Sequence, residues 1–348
     1  MPKTKAYAAQ SARSPLSPFE IERREVRDRD VLIEIAYCGV CHSDIHQVRD
    51  EWGGSIFPMV PGHEIVGKVT RVGARVERLK VGDLAGVGCM VDSCRKCAPC
   101  RHDLEQFCEQ GAAMTYNGTE MDRKTPTYGG YSTHVLVDER FALRVQPGVD
   151  LAGVAPLLCA GITTYSPLRH WKATKGSRVG VVGLGGLGHM AVKLAASMGC
   201  EVTMLSTSRS KEGDARRLGA HEFGLTSDDA TFKKLAGRFD LIVDTISAAH
   251  DYNKYLGMVK VDGAMVLLGV PPQPAPVSAF SLIGGRKSLA GSLIGGIAET
   301  QEMLDYCAQH RIVADVEVIP IQKINEAYER MLKADVRYRF SIDAKSLG

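Results

Sequence analysis

The feature that most constrains the fold is the segment "SRVGVVGLGGLG", residues 177–188. A short apolar run, which predicts a buried strand, leads into a glycine-rich turn, and the apolar helical pattern "HMAVKLAASMG" follows. A G-x-G-x-x-G turn between a strand and a helix is typical of parallel βαβ units, where phosphate groups bind at the helix N-terminus. The segment therefore predicts a doubly wound parallel sheet that binds a dinucleotide. A glycine-rich turn without a ligand is the alternative.

The two halves of the chain have different patterns. After about residue 175, strands such as "EVTMLS", "FDLIVDT" and "GAMVLLGV" alternate with helical segments, which indicates a parallel α/β sheet. Before about residue 150, "DVLIEIAYCGV" and "HEIVGKVTRVG" predict strands between stretches rich in Gly and Pro. Near the C-terminus, "INEAYERMLKADV" predicts an amphipathic helix in which one face carries Ile324, Ala327, Tyr328, Met331 and Leu332. A chain of 348 residues thus has room for two domains.

The glycine turn supplies the predicted dinucleotide-binding residues Gly183, Leu184, Gly185, Gly186, Leu187 and Gly188. An enzyme that uses NAD usually carries an acidic residue at the end of the next strand, where it binds the ribose. In this chain that strand ends in hydroxyls and cations, without a carboxylate: Ser206, Thr207, Ser208, Arg209, Ser210 and Lys211. Such a turn suits the dianionic 2′-phosphate, so the sequence favours NADP(H) over NAD(H). A solvated turn of N-cap residues is the alternative.

Four of the ten cysteines lie within fifteen residues: Cys94, Cys97, Cys100 and Cys108. The spacing predicts four thiolates around one tetrahedral ion, and a zinc ion held this way is closed to substrate and structural. An iron–sulfur cluster and four buried free cysteines are the alternatives. The N-terminal segment "MPKTKAYAAQ" is not a secretory signal, so we expect a reducing cytoplasm, where disulfides are rare.

Composition excludes other classes. No stretch approaches the roughly 20 apolar residues that span a membrane, so no membrane association is expected. The net charge is +3 and only 6% of residues are aromatic, which argues against a nucleic-acid partner.

Several further segments share one pattern: "GVCHSD", "PGHE", the cysteine run, "CAGITTYSPL", "GLGGLG", "GSLIGGIAETQEML" and "RYRF". Together they resemble the zinc-dependent medium-chain dehydrogenases, in particular the cinnamyl alcohol dehydrogenase branch with its bacterial NADP-dependent aldehyde reductases. The resemblance implies a GroES-like, β-rich catalytic domain at residues 1–153 and 295–348, with a structural-zinc lobe at about 89–112. It also implies a Rossmann dinucleotide-binding domain at residues 154–294.

The same resemblance implies roles for individual residues. Cys41, His63 and Cys159 are expected to bind a catalytic zinc, with Glu64 as an exchangeable ligand and Asp44 hydrogen-bonded to His63. Ser43 and His46 are the expected proton relay, although His42 and His46 are alternatively a metal pair on one helix. The remaining cofactor-binding residues implied are His42, Thr163, Thr245, Gly269, Ser292, Leu293 and Ile294. Trp52 and Met114 are the expected substrate-pocket residues.

The implied function is the interconversion of primary alcohols and aldehydes with NADP(H), mainly as aldehyde reduction. We expect two zinc ions per chain and a homodimer that pairs through "SLIGGRKSLAG". An NAD-dependent polyol or secondary-alcohol dehydrogenase is the alternative within enzymes, and the missing acid after the second strand argues against it. A zinc-stabilised protein that senses dinucleotides is the alternative from another class, which a basic face or stacking aromatics would favour.

Overall fold

The computed structural model describes residues 4–348, so residues 1–3 of the predicted catalytic domain and N-terminal segment lie outside the described residues. The chain divides into two compact units. One unit contains the residues up to 162 together with 295–348, and the other contains 163–294.

The first unit begins with mostly extended structure. Its strands here are β1 (Thr4–Ala8), β2 (Ser17–Ile21), β3 (Asp30–Val40), β4 (Ile65–Val72), β5 (Leu84–Val87), β6 (Met90–Asp92), β7 (Ala113–Met114), β8 (Gly118–Thr119), β9 (Pro126–Thr127), β10 (His134–Asp138) and β11 (Leu143–Arg144). Its helices are α1 (His42–Val48), α2 (Ala98–Arg101) and α3 (Leu151–Val154), and α4 (Ala160–His170) leads out of the unit.

The second unit alternates strands and helices. In chain order these are β12 (Arg178–Val182), α5 (Gly188–Ser197), β13 (Glu201–Ser206), α6 (Glu212–Arg217), β14 (Glu222–Leu225), α7 (Asp229–Lys234), β15 (Phe239–Asp244), α8 (Tyr252–Met258), β16 (Val259–Leu267), α9 (Ala279–Ile283) and β17 (Ser288–Gly291). The chain then returns to the first unit as α10 (Ile297–His310), β18 (Val316–Pro320), α11 (Ile324–Leu332) and β19 (Arg339–Asp343).

Strand β3 is the centre of the sheet in the first unit. Its side chains alternate, so that Ile33 and Ile35 are buried while Glu34 between them faces solvent. One edge of β3 pairs with β4, and the other edge pairs first with β10 and then with β19. The antiparallel β3–β4 pair brings the end of β3 next to the start of β4, where Cys38 is opposite Ile65. Residues that follow β3 and precede β4 therefore meet.

The second unit forms a parallel sheet in the order β14–β13–β12–β15–β16–β17. The predicted doubly wound α/β fold is thus confirmed. The strand order reverses between β12 and β15, and in such sheets ligands bind at the carboxyl ends of the strands at this point. The glycine turn follows β12 directly, so it lies at the reversal.

The amphipathic helix near the C-terminus forms as α11, and Ile324, Ala327, Tyr328 and Met331 are buried as predicted. Leu332, which the prediction places on the same face, is 44% exposed. Leu332 is the last residue of the helix, where no further turn continues the buried face.

Among residues 4–348, no helix is by itself long and apolar enough to cross a membrane. The bent pair Leu151–Leu158 and Ala160–His170, with a 57° angle between its halves, meets the length and composition criteria together.

The glycine turn allows a matched test of packing. A Cβ on Gly188 would collide with the backbone carbonyl of Gly183, whereas a Cβ on Gly185 would meet no heavy atom within 4 Å. Gly188→Ala should therefore lower the free energy of unfolding by about 1–3 kcal/mol, because the turn must shift. Gly185→Ala is the control and should leave it unchanged. Equal stabilities in chemical denaturation would contradict this packing.

Candidate active site and metal centres

Two groups of metal-ligating side chains occur within residues 4–348. In the first, the ligand atoms of Cys41, His63, Glu64 and Cys159 all lie within 4.8 Å of one another, and all four residues are buried. The Sγ atoms of Cys41 and Cys159 are 3.9 Å apart. Two thiolates at the usual zinc–sulfur distance in a tetrahedral site are about 3.8 Å apart, whereas disulfide sulfurs are about 2.05 Å apart. The spacing therefore fits two ligands of one ion.

Local structure explains how these distant residues meet. Cys41 follows β3 as the N-cap of α1, and His63 and Glu64 precede β4, the neighbouring strand. Cys159 lies between the 3-10 turn Ala155–Leu158 and α4. Gly88 after β5 lets this turn approach, because a Cβ there would come within 3.0 Å of the carbonyl oxygen of Leu158. The sheet thus supplies three donors and the turn packed on it supplies the fourth.

The electrostatics of these four buried side chains favour the binding of a cation. The pKa of Cys41 is lowered well below its usual value, foremost by a hydrogen bond from Cys159, and the pKa of Cys159 is raised by the same interaction. Burial raises the pKa of Glu64 to about 8, although Arg339 opposes the shift. Glu64 Oε2 is buried without a hydrogen-bond partner. Two sulfurs, an imidazole and this unpartnered oxygen form a donor set that fits zinc.

Asp44 organises the two neighbouring ligands. Its Oδ1 accepts a hydrogen bond from His63 Nδ1 at 3.1 Å, which leaves Nε2 of His63 as the metal-binding nitrogen. Its Oδ2 accepts the backbone N–H of Cys41 at 2.9 Å and the hydroxyl of Tyr131 at 3.3 Å. Asp44 is fully buried, so these bonds hold its carboxylate in one orientation.

Arg339 is a site residue that the sequence reasoning missed. It forms an ion pair with Glu64 in which the two side chains are 4% and 0% exposed. It lies in the "RYRF" segment, which was assigned no chemistry, and β19 places it beside β3. Its charge compensates the carboxylate. Cys89 was also missed: it lies beside Cys159, which lowers the pKa of Cys89 through a hydrogen bond.

The two predicted relay residues lie on α1. Ser43 Oγ is 3.6 Å from Cys41 Sγ, and His46 follows one helical turn later. His46 Nδ1 is 2.5 Å from Glu51 Oε2, a contact that the sequence analysis did not anticipate, and its ring stacks on Trp52 at 4.8 Å between centroids. The rings of His42 and His46 are 6.4 Å apart, and neither belongs to a metal-ligating group within residues 4–348.

Trp52 and Met114 are both half-exposed apolar side chains of the first unit. Ile56 is exposed to a similar degree, and its backbone N–H donates to Asn117 Oδ1 at 2.7 Å. The assignment of Trp52 and Met114 to a substrate pocket stays a prediction.

The second group contains Cys94, Cys97, Cys100 and Cys108. Cys94 Sγ and Cys100 Sγ are 3.9 Å apart, and backbone N–H groups of Cys94 and Cys97 donate to thiols of the group at 3.4 Å. The pKa of Cys94 is lowered to about 6, foremost by the N–H of Lys96, while burial raises the pKa of Cys100 to about 12. Full ionisation of these thiols thus needs a cation. The sulfur spacing fits one ion better than thiolates on separate irons of a cluster.

The glycine turn in the second unit has the backbone that a phosphate requires. Gly183 has a φ of 89°, in the left-handed region, and Gly185 leaves open space above the backbone. The hydroxyl of Thr245 donates to the carbonyls of Val182 and Gly183 at 2.7 and 3.1 Å, so this predicted residue braces the turn. Gly269 packs against the carbonyl of Ile246, the residue after Thr245.

The other predicted cofactor residues are more dispersed. Thr163 is buried near the start of α4. Ser292 follows β17 and donates its backbone N–H to Leu267 at 3.2 Å, and Leu293 beside it is exposed. Ile294 has a φ of 38°.

The turn after β13 presents hydroxyls and cations to solvent. Ser208 Oγ is 2.8 Å from Ser210 Oγ, and the backbone N–H of Ser208 donates to Ser206 Oγ at 3.3 Å. Arg209 is 3.6 Å from Glu212, which begins α6 and also pairs with Arg216 at 2.9 Å. The sequence analysis stopped at Lys211 and missed this carboxylate, which competes for Arg209.

Comparison with known proteins agrees with this geometry. Residues 27–147 match the "Alcohol dehydrogenase GroES-like domain" and residues 186–309 match "Zinc-binding dehydrogenase". The chain is 56% identical to NADP-dependent alcohol dehydrogenase C 1 of Mycolicibacterium smegmatis, covering 100% of this chain and 99% of that protein. It is 53% identical to the aldehyde reductase YahK of Escherichia coli, covering 99% of each. A solved cinnamyl alcohol dehydrogenase from Helicobacter pylori, complexed with NADP(H), superposes with a TM-score of 0.92 at 43% identity, covering 99% of this chain and 98% of that one.

The chain therefore belongs to the zinc-binding alcohol dehydrogenase family, as the sequence resemblance implied. Its β-rich unit is of the GroES-like kind, and it is an enzyme.

The two groups predict separable metals. Elemental analysis should find two zinc ions per chain, one for each group of four ligands. Cys159→Ala should lose one ion and all turnover while the thermal midpoint stays near that of the wild type. Cys100→Ala should lose the other ion and lower the thermal midpoint, because the metal no longer cross-links the four-cysteine lobe. Active protein with a single zinc per chain would contradict this assignment.

Proposed function

We propose that the chain is a zinc-dependent oxidoreductase that interconverts primary alcohols and aldehydes with NADP(H), and that it acts in the cell mainly as a broad-range aldehyde reductase. The observation that carries the proposal is the buried set of Cys41, His63 and Cys159 beside a carboxylate held by Arg339. Three strong ligands leave a position for a fourth that substrate can take, unlike the four-cysteine lobe. The NADP-dependent relatives support the choice of cofactor.

Cys41, His63 and Cys159 hold the metal in this account, and zinc bound there supplies a Lewis acid for an aldehyde or alcohol oxygen. Asp44 keeps the imidazole of His63 in the binding tautomer. Arg339 favours the charged form of Glu64 against the effect of burial and pairs with it. Glu64 would therefore be the ligand that exchanges with substrate or water. Two thiolates balance the charge of a divalent ion, which suits a site that must release a neutral alcohol.

Ser43 and His46 move the proton that balances hydride transfer. Ser43 lies next to Cys41, and His46 is on the same face of α1 nearer to solvent. Glu51 orients the imidazole through its contact with Nδ1. Trp52 packs on the other side of the ring and, with Met114, contributes an apolar wall for the substrate.

The second unit binds the dinucleotide. The residues Gly183, Leu184, Gly185, Gly186, Leu187 and Gly188 form the diphosphate site, and the turn from Ser206 to Lys211 binds the 2′-phosphate. Thr245 holds the glycine turn in shape, and we assign His42, Thr163, Gly269, Ser292, Leu293 and Ile294 to the rest of the cofactor. In this account residues 1–153 and 295–348 form the catalytic domain and 154–294 the Rossmann domain.

We also propose that the enzyme is a cytoplasmic homodimer that pairs through β17. This strand lies at the edge of the parallel sheet, and its outer backbone groups are available to a second copy. Phe280 and Ile283 in the adjacent α9 are 83% and 70% exposed, an apolar pair that an interface would cover. A cytoplasmic location fits ten cysteines that are all free thiols.

The relay predicts a specific defect. His46→Ala should retain both metals but lose turnover by about 10²–10⁴-fold, with an altered pH profile, because the proton loses its route to solvent. Glu51→Gln should keep part of the rate, since the imidazole remains. His310→Ala, an exposed histidine of the same unit, is the control. Loss of zinc from His46→Ala would show that His46 is a metal ligand and would contradict its role in proton transfer.

The cofactor turn predicts a change of preference. Wild type should reduce aldehydes with NADPH in preference to NADH, monitored as nicotinamide absorbance. Each charge-assisted hydrogen bond to the phosphate contributes about 1.5–3 kcal/mol before exposure reduces it, which corresponds to roughly ten- to a hundredfold in affinity. Ser206→Asp should therefore shift kcat/KM from NADPH towards NADH, because it repels the phosphate and accepts from the ribose diol.

Lys211→Ala should weaken NADPH and hardly affect NADH, while Lys234→Ala, an exposed cation on α7, should change neither. If Ser206→Asp leaves the preference for NADPH over NADH unchanged, the turn from Ser206 to Lys211 does not bind the 2′-phosphate.

A further inference from the structure

The structural-zinc lobe reaches a helix far away in the sequence. The backbone N–H of Ile297, the first residue of α10, donates to Glu105 Oε2 at 3.0 Å across a separation of 192 residues. The N-cap of α10 is Gly296, which has no side chain to accept this bond. Glu105 thus supplies the cap from another segment, and its negative charge suits the N-terminus of a helix.

The lobe also contacts the backbone of α10 directly. A Cβ on Gly296 would collide with the backbone carbonyl of Asp103, so only glycine allows this approach. Asp103 and Glu105 lie between the predicted zinc ligands Cys100 and Cys108. The geometry of the cysteine group therefore fixes where the carbonyl and the carboxylate meet the helix.

On its other side, the start of α10 packs against the segment that carries Cys159. A Cβ on Gly295 would lie 2.6 Å from Ile162 Cδ1, and a Cβ on Gly161 would lie 3.2 Å from the sulfur of Met303 in α10. Met303 is fully buried. Helix α10 and the preceding segment, Gly295–Gly296, thus pack closely on Gly161 and Ile162.

We propose that Glu105 is a positioning residue, which holds the start of α10 so that the helix packs against Gly161 and Ile162, and thereby keeps the neighbouring Cys159 in place for catalysis. The contacts run from the cysteine lobe through Glu105 and α10 to Gly161 and Ile162 at the start of α4, directly after Cys159. This inference rests on the proposed function in that it takes Cys159 as a ligand of the catalytic metal. It gives the lobe a role in the reaction beyond local stability.

Amide hydrogen exchange on the zinc-loaded enzyme tests the coupling without reference to activity. Loss of an N-cap changes the equilibrium constant for local opening of a helix start by about two- to thirtyfold. Glu105→Ala should therefore speed amide exchange at residues 297–300 by about that factor. Exchange at residues 159–162 should rise with it. Glu105→Gln retains an acceptor oxygen and should resemble wild type, and Glu109→Ala, an exposed acid of the same lobe, is the charge control.

Turnover separates positioning from a purely structural role. Glu105→Ala should keep two zinc ions and a folded state, yet lose about tenfold or more in kcat, because small displacements of reacting groups are costly. The KM for NADPH should change by less than about twofold, since all its proposed contacts except His42 lie in the second unit. Glu105→Gln should rescue kcat. Gly296→Ala disturbs the same contact from the helix side and should reproduce the defect if Glu105→Ala does not fold.

Unchanged exchange at 159–162 in Glu105→Ala, or in Gly296→Ala if that variant replaces it, would overturn the coupling. A wild-type kcat in a variant with faster exchange would do the same. Wild-type protein without reductase activity would instead refute the proposed function, and the exchange measurement would still decide whether the lobe and the Cys159 segment are coupled.

Discussion

The structure of the first unit depends on the burial of several acids at one point. Cys41, Cys159 and Glu64 bring two thiols and a carboxyl group within 4.8 Å of one another, in a place where burial disfavours their charged forms. Arg339 brings one positive charge, and a divalent cation supplies the rest. The surrounding architecture serves this arrangement: β3 and β4 position one thiol, the imidazole and the carboxylate, while β19 delivers the arginine.

The two groups of cysteine ligands differ in what they leave for chemistry. With four thiolates around one ion, the lobe would have a structural role, and backbone N–H groups would stabilise its charge. The other group has two thiolates, one imidazole and a carboxylate already engaged by Arg339. A ligand with a competing partner can leave the metal at low cost, which makes room for substrate oxygen. On this proposal, the structural and the catalytic site differ in whether a ligand has a competing partner.

Features encoded by neighbouring residues were predictable from sequence. The glycine turn, the parallel α/β order and the buried face of α11 all follow from short-range periodicity, apart from Leu332 at the helix end. The ligands of the open site, where Cys41 and Cys159 are 118 residues apart, came from a family resemblance and not from spacing.

The contacts that the sequence analysis missed lie outside the motifs it used. Arg339 meets Glu64 across 275 residues and Glu105 meets Ile297 across 192, and only strand pairing and helix docking bring them together. Glu51 and Glu212 lie just beyond the sequence motifs whose residues they contact, and these contacts depend on where α1 ends and α6 begins.

X-ray absorption at the zinc edge tests the central claim, that zinc occupies both groups, most directly. Six thiolates, four in the lobe plus Cys41 and Cys159, shared by two ions predict an average of three sulfur neighbours per zinc, with nitrogen or oxygen completing the shell. An average of four sulfurs would mean that only the lobe binds zinc, and would contradict the account.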